Sequence, residues 1–399
     1  MSFMSFVKDT VQKSTKLHEM TQPLYTAYRA AIMRGAQRRQ GINPRKVVFS
    51  SFQGMSYSDN PRYISERLHE LCPEAEIVWL FREGFLEKAK VPDYVRTGLL
   101  ISREGLIEQA TARFWVDNFK RSRTIYLDDK RQYYINTWHG DRGFKRVGDD
   151  NEKLRKQVGR RLEERCAMMI AGSEFGANNY RTAFHFKGEV LMDGCPRNDI
   201  LVRNDPAVAA DVRRRVGIPP EKHILLYAPT YRDDREWKTQ TAALDVCRTL
   251  DHLERTRNEP WVCLYRAHYL NQGLIVKEDL RVMDASAWPD MSELLLISDM
   301  LITDYSSCGG DFALLRRPLF LYQADVREYL DVSRSFYFDM EDSPFLVARS
   351  QKELERLIDT TDAEAARENC EALDRFFGTT ENGHATDAVC KYIMDRMKD

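Results

Sequence analysis

The sequence has no run of eighteen or more apolar residues, so none of it is expected to span a bilayer as a helix. Its N-terminus lacks the charged-then-apolar pattern of a secretory signal. The eight cysteines, at positions 72, 166, 195, 247, 263, 308, 370 and 390, form no CxxC pair and have no histidine at zinc-ligand spacing. They read as reduced structural thiols of a cytoplasmic protein. The eight histidines include no HExxH pattern, and no metal site is expected. Short repeats and low-complexity tracts are also missing. What is present is a globular composition, 43% apolar, 11% aromatic and 30% charged, in a chain of 399 residues that can form two domains.

A net charge of −1 hides an uneven distribution. Residues 1–46 carry nine Lys or Arg against Asp9 and Glu19, so the remainder is net acidic. Phe3, Met4, Phe6, Val7, Leu24, Tyr25, Tyr28, Ile32 and Met33 give this basic arm apolar surface. The spacing at 24, 28, 31 and 32 predicts a helix over 24–34, with Arg29, Arg34, Arg38 and Arg39 nearby. Such a helix can lie on an anionic bilayer with its cations at the headgroups, or pack on the protein body as a solvated basic helix. A nucleic-acid partner is not expected, because the arm has few aromatics and the body is not basic.

From Lys46 onward, short apolar runs alternate with helical segments, the pattern of an α/β protein with mainly parallel sheets. Val47–Phe49, Ile77–Leu80, Thr111–Val116, Tyr133–Ile135, Met168–Ala171 and Glu189–Met192 read as strands of a first series. A charged helix is expected over 151–166. Prolines 206, 219 and 220 mark a junction, after which His223–Tyr227, Trp261–Tyr265, Met300–Thr303 and Leu319–Tyr322 form a second series. Polar groups gather just after these strands, where doubly wound folds bind their ligands.

Four such strand ends carry chemistry. Tyr133–Ile135 leads into Asn136-Thr137-Trp138-His139-Gly140-Asp141-Arg142-Gly143-Phe144-Lys145. A histidine suited to proton transfer near neutral pH there stands beside two cations, and glycine permits a sharp turn or a close approach. Arg266-Ala267-His268 follows another strand and offers a bidentate phosphate grip with a second donor. Asp304-Tyr305-Ser306-Ser307-Cys308-Gly309-Gly310 has good helix-capping serines at a strand-to-helix turn, a place that receives anions. Tyr227-Ala228-Pro229-Thr230-Tyr231-Arg232-Asp233 is a proline-stiffened turn with hydroxyl and cationic groups. Each segment alone also has an ordinary structural reading, as a loop histidine, a surface Arg-x-His or a helix cap.

Together these segments resemble the CDP-glycerol glycerophosphotransferase family, the teichoic acid primases and polymerases of bacterial cell-wall assembly. His139-Gly140 with Lys145 is similar to its His-Gly-x-x-x-x-Lys signature, and Tyr227–Asp233 to its Tyr-Ala-Pro-Thr segment. Arg266-Ala267-His268 and the run from Ser292-Glu293 through Asp299 to Ser307 also match. Gly194–Asp199 and Phe336–Asp339 extend the match, which covers roughly residues 45–390. The resemblance implies an α/β fold of GT-B type, two Rossmann-like domains around a cleft. The expected layout is a basic amphipathic membrane-association arm at 1–45, an acceptor domain at 46–205 and a CDP-donor domain at 206–375. A C-terminal helix at 376–399 is expected to pack back on the first domain.

The resemblance implies transfer of glycerol phosphate or ribitol phosphate from CDP-glycerol or CDP-ribitol to a hydroxyl of a lipid-linked acceptor, releasing CMP. No further cofactor or metal is expected. His139 is the expected base, with His268, Asp141 and Lys145 in the catalytic group. Gly140, Arg142, Pro229, Thr230, Arg232, Arg266, Glu293, Asp304, Ser306 and Ser307 are the expected substrate-binding residues. The acceptor would be an undecaprenyl-diphosphate-linked or glycolipid molecule at the cytoplasmic face of the cell membrane, and a homo-oligomer is compatible. Alternative readings are a nucleotide-sugar glycosyltransferase of the same fold and a catalytically silent, membrane-associated binding protein. The sequence departs from the family in Asp141-Arg142, where Thr-Pro is common, and in Cys308-Gly309-Gly310, where bulky apolar residues are common.

Overall fold

The computed structural model describes residues 15–119, 126–128, 130–151, 165–230, 244–266, 279–332 and 335–398, with side chains from residue 24 onward. Nearly all of the helix expected over 151–166 lies outside them, as do Arg232 and His268.

Two parallel sheets organise the described chain. The first contains β1 (Asn43–Ser50), β2 (Glu76–Phe81), β3 (Arg96–Leu99), β4 (Ala112–Asp117), β5 (Tyr133–Asn136), β6 (Met168–Ile170) and β7 (Glu189–Leu191). Their order is β3-β2-β1-β4-β5-β6-β7, with Val47 opposite Ile77, Val48 opposite Trp115 and Val116 opposite Ile135. The second contains β8 (His223–Ala228), β9 (Trp261–Tyr265), β10 (Val282–Asp284), β11 (Met300–Thr303), β12 (Leu319–Tyr322) and β13 (Val347–Ala348), in the order β10-β9-β8-β11-β12-β13. Stretches such as Val47–Phe49, Ile77–Phe81 and Ile224–Tyr227 are continuously apolar because the middle of each sheet is buried on both faces, as parallel sheets covered by helices require. Alternate residues serve opposite cores. Val48, Trp115 and Tyr134 pack on one side of the first sheet, while Val47, Phe114, Val116 and Ile135 pack on the other. In the second sheet, Ile224, Leu226 and Leu301 are divided in the same way from Leu225, Tyr227 and Ile302.

These are the two Rossmann-like lobes that the resemblance implies. Each sheet reverses its winding beside its first strand, between β1 and β4 and again between β8 and β11. A crevice outside the strand ends opens at such a reversal, and ligands bind there. Thr111, expected in a strand, instead ends the helix Arg103–Thr111, and β4 starts one residue later.

The lobes are interlocked rather than strung on a linker. Phe144 and Leu201 belong to a core cluster of the second lobe, although they precede its first strand. After the helix Ala363–Phe377, packed on that lobe through Cys370, Leu373 and Phe377, the chain crosses back. Its final helix, Ala385–Met397, lies on the helix Asp59–Leu71, burying Val389, Cys390 and Ile393. Arg67 Nε donates to Asp387 Oδ1 at 2.6 Å across this contact, and the Asp199 carboxylate accepts from the backbone of Ala385 and Thr386 at the helix start.

The basic arm forms a helix, Thr15–Gln40, with two unlike halves. Leu24 (75% exposed) and Tyr28 (53%) face outward. Met33 and Ala36 are completely buried in a core of the first lobe, and Gln37 Nε2 donates to Ala110 O at 3.0 Å. The last turns of the expected arm are therefore part of the first lobe. No helix among the described residues is long and apolar enough to cross a membrane.

Candidate active site between the lobes

β5 delivers the histidine turn. Thr137 N donates to Asp117 O at 2.8 Å, and Trp138 N donates to the Asn136 side chain at 2.8 Å. Asn60, buried at the start of the helix Asp59–Leu71, donates to the carbonyls of Thr137 and Trp138. These bonds hold Trp138 at φ +49, a left-handed conformation that costs a bulky residue about 1–3 kcal/mol. The backbone reversal is thus made by Trp138, and the glycine after the histidine has another use.

His139 is half-buried among aromatic rings. Its Nδ1 lies 2.6 Å from the carbonyl oxygen of Asn118. A carbonyl can only accept, so Nδ1 carries a proton and the neutral ring has its lone pair on Nε2. The Phe119 ring stacks on the imidazole at 5.0 Å and 10°, the Trp138 ring lies at 4.4 Å, and Phe52 meets it edge-on at 5.5 Å. A ring fixed in position and tautomer is what a general base requires.

Across the junction stands Ser307, the residue before the short helix Cys308–Phe312. A side chain on Gly140 would put its Cβ 3.3 Å from Ser307 Oγ, and one on Gly143 would meet Ser307 Cβ at 3.2 Å. Glycine here lets the turn of one lobe approach the strand end of the other closely. Ser306 Oγ accepts from Cys308 N at 3.3 Å. Gly140 and Gly143 therefore approach Ser307 between the carboxyl ends of β5 and β11, with His139 and Ser306 next to them in sequence.

Several expected ligands also make bonds within the protein. Asp304, almost fully buried, accepts from Thr230 N at 2.9 Å and Thr230 Oγ1 at 2.7 Å, tying the Pro229-Thr230 turn after β8 to the end of β11. Glu293 accepts from Arg62 of the first lobe at 3.0 Å, from Trp288 Nε1 at 3.0 Å and from Arg215 at 3.3 Å. It braces the two lobes. Arg266 follows β9, donating N to Tyr227 O at 2.9 Å and Nη2 to Trp288 O at 3.3 Å. Burial draws its guanidinium pKa down, with the Asp290 carboxylate opposing. Lys145 is half-buried, and its backbone pairs with Phe336 of the second lobe. Phe144 beside it packs among Phe336, Phe338 and Phe345.

Asp141 and Arg142 turn inward. Arg142, 1% exposed, donates from Nη2 to Asp311 Oδ1 and to Glu381 Oε1, both at 2.9 Å. Arg197 Nη2 reaches the other oxygen of Asp311 at 3.0 Å, Asn198 Nδ2 bonds Asp311 and Glu381, and Cys195 N donates to Glu381 Oε2 at 2.9 Å. Burial pushes Glu381 up to about 7 against the pull of Arg142, whereas Asp311 stays below the usual carboxylate range because Arg197 and Arg142 outweigh its burial. Asp141 is buried too, its pKa raised by that burial, with the Tyr180 hydroxyl 3.5 Å from Oδ1. The cluster joins the histidine turn, the segment 195–198, the helix Cys308–Phe312 and the crossover to the last helix.

The two departures from the family pattern are one feature. A Cβ on Gly310 would lie 2.6 Å from Arg142 Cβ, and one on Gly176 would collide with the Asp141 carboxylate. The space at Gly310 is thus filled by Arg142 rather than left for a ligand. Asp311, Arg197, Asn198 and Glu381 were not singled out by sequence reasoning. The Gly194–Asp199 segment was a signal for two of them, but Asp311 and Glu381 resemble ordinary helix and loop acids. Among the described residues, no group of three or more His, Cys, Asp or Glu is placed to hold a metal ion. All eight cysteines are free thiols.

Residues 32–395 match the family described as CDP-glycerol:poly(glycerophosphate) glycerophosphotransferase, and the chain belongs to that family of transferases. It is 32% identical over 372 residues to a teichoic acid glycerol-phosphate transferase of Staphylococcus aureus, covering 88% of this chain and 93% of the relative. It is 30% identical over 385 residues to a teichoic acid poly(glycerol phosphate) polymerase of Staphylococcus epidermidis, covering 91% of this chain but 52% of that protein, about half its length. The solved structure of the wall teichoic acid polymerase TagF matches with a TM-score of 0.77 at 27% identity, covering 96% of this chain and 99% of that one. The fold is of GT-B type.

Proposed function

We propose that this protein transfers glycerol phosphate from CDP-glycerol to a hydroxyl of a lipid-linked acceptor and releases CMP. The acceptor hydroxyl gives its proton to Nε2 of His139. Its oxygen forms a bond to the phosphorus that bears the glycerol, and the bond from that phosphorus to the CMP oxygen breaks. Phosphoryl transfer of this kind depends on in-line positioning and on neutralising charge at the diphosphate. Ser306, Ser307, the Pro229-Thr230 turn and Arg266 surround the junction on the second lobe and serve the donor. His268, Arg232 and Lys145 keep the donor-side and catalytic roles that the resemblance implies. Asp141, Arg142, Asp304 and Glu293 act at one remove, by fixing the turns that carry the others.

The observation that carries this reading is the close approach of the histidine turn to the second lobe, where a Cβ on Gly140 would lie 3.3 Å from Ser307 Oγ. Glycerol phosphate is favoured because the Staphylococcus aureus and Staphylococcus epidermidis relatives are named for glycerol-phosphate transfer and polymerisation. The outward half of the N-terminal helix, with Leu24 and Tyr28 exposed and Arg34, Arg38 and Arg39 following on exposed surface, supports attachment to the anionic cytoplasmic face of the membrane. Mass spectrometry of products formed on a lipid acceptor with CDP-glycerol, CDP-ribitol and a panel of nucleotide sugars tests the assignment. A mass increment of one or more glycerol phosphates is expected from CDP-glycerol. Sugar transfer, or no product from either CDP-polyol, would overturn it.

A further inference from the structure

Asn118, the residue directly after β4, reaches His139 by more than one route. Its carbonyl oxygen accepts from Nδ1 of the imidazole at 2.6 Å. Its side-chain Oδ1 accepts from the backbone N–H of Phe52 at 2.8 Å, which fixes the orientation of the amide. Asn118 is fully buried, and its Nδ2 has no hydrogen-bond partner among the described residues. Phe52, Gln53 and Gly54 follow the end of β1 with φ of +46, +59 and +84, three left-handed residues in succession. Two of them carry side chains, so the conformation must be imposed from outside. Asn118 holds its start, and Gly54 holds its end through Arg82 N donating to Gly54 O at 2.8 Å.

The loop so held brings Phe52 edge-on to the imidazole at 5.5 Å. Phe119, the next residue after Asn118, stacks on it at 5.0 Å. The Asn118 carbonyl therefore sets the tautomer of His139, and its side chain holds the loop that brings Phe52 to the ring. The arrangement joins the ends of β1 and β4, the two strands between which the first sheet reverses.

We propose that Asn118 is a positioning residue for His139, its carbonyl holding the imidazole with the proton on Nδ1 and the lone pair on Nε2 while its side chain fixes Phe52 against the ring. This rests on His139 being the base. Misplacing a reacting group by about 1 Å can lower a rate by about 10²-fold, so a loosened imidazole affects turnover more than donor binding.

The test uses the full chain as wild type, Asn118→Ala and Asn118→Asp, with kcat, KM and pH profile from CMP release, and histidine-selective 15N NMR of the His139 ring. Asn118→Ala keeps the backbone carbonyl that accepts from Nδ1 but releases the Phe52 loop, and is expected to lower kcat by about 10-fold to 10²-fold, with KM for CDP-glycerol within about twofold, and to broaden and shift the His139 ring signals. Asn118→Asp keeps an acceptor for Phe52 N–H and sets a carboxylate near the imidazole, which favours the imidazolium. It should recover much of kcat at high pH while the acid limb of the profile moves upward. Unchanged kcat and unchanged ring signals in Asn118→Ala, a loss confined to KM, or an unshifted acid limb in Asn118→Asp would each overturn the proposal. Where Asn118→Ala does not fold, the Asn118→Asp profile decides alone. If His139→Ala retains turnover, the base assignment fails, and comparing the His139 ring signals of wild type and Asn118→Ala still decides whether Asn118 orients the ring.

Discussion

Replacing Arg142 by methionine removes a buried guanidinium while keeping most of its stem, and the structure sets the size of the effect. Asp311 loses one charged hydrogen bond but keeps Arg197 and Asn198. A hydrogen bond to a charged group contributes about 1.5–3 kcal/mol. Glu381 loses the same cation and keeps Asn198 and Cys195 N. Because burial holds Glu381 at about 7, it can escape by taking a proton, and the cost of that escape depends on pH. At pH 6 it is already protonated in the parent, so little is added. At pH 8 the parent is mostly ionised, and losing that ionisation adds about 1 kcal/mol. The expected destabilisation is therefore about 2–3 kcal/mol at pH 6 and about 3–4 kcal/mol at pH 8, in keeping with the cost of breaking a buried ion pair. Urea unfolding followed by circular dichroism and tryptophan fluorescence at both pH values measures it. A loss below about 1 kcal/mol, or the same loss at both pH values, would refute the reasoning.

Other expectations follow from neighbouring features. The Glu381 pKa is raised in the folded state from 4.5 to about 7, so its stabilising contribution is complete below about pH 4.5 and is lost as pH rises through 7. Across that window the change is about 3 kcal/mol, and Glu381→Gln should flatten the corresponding slope in urea midpoints. Gly310→Ala places a methyl group against Arg142 and should cost about 1–3 kcal/mol. Gly309→Ala, whose nearest neighbours would lie at 3.7 Å, should be neutral or slightly stabilising in the same melts. Removing residues 1–28 should weaken binding to anionic vesicles and leave activity on a soluble acceptor, as a flotation assay would show. Removing residues 1–40 deletes the buried Met33 and Ala36 and should abolish cooperative unfolding.

The strands were legible because both sheets are buried on both faces, which leaves runs such as Val47–Phe49 and Leu225–Tyr227 continuously apolar. The histidine turn was legible for the same reason, since a polar cluster after an apolar run marks a strand end. The direction in which each polar side chain points was not legible. Asp141 and Arg142 stand beside the histidine in sequence but turn into the interior, because Gly176 and Gly310, from distant segments, leave them room. Asp304 and Glu293 were expected to bind substrate, yet each is committed to donors brought by other segments. Nor did the sequence indicate that Trp138 would take the left-handed turn. That conformation depends on Asn136 within the turn and on Asn60 from another helix.

The central claim is that His139 removes the acceptor proton as its oxygen attacks the phosphorus. Single-turnover CMP release by His139→Ala, with CDP-glycerol binding measured in parallel by calorimetry, tests it most directly. The account predicts a rate lower by about 10²–10⁴-fold with donor affinity nearly unchanged. Release at the parental rate, or a loss explained wholly by weaker donor binding, would contradict it.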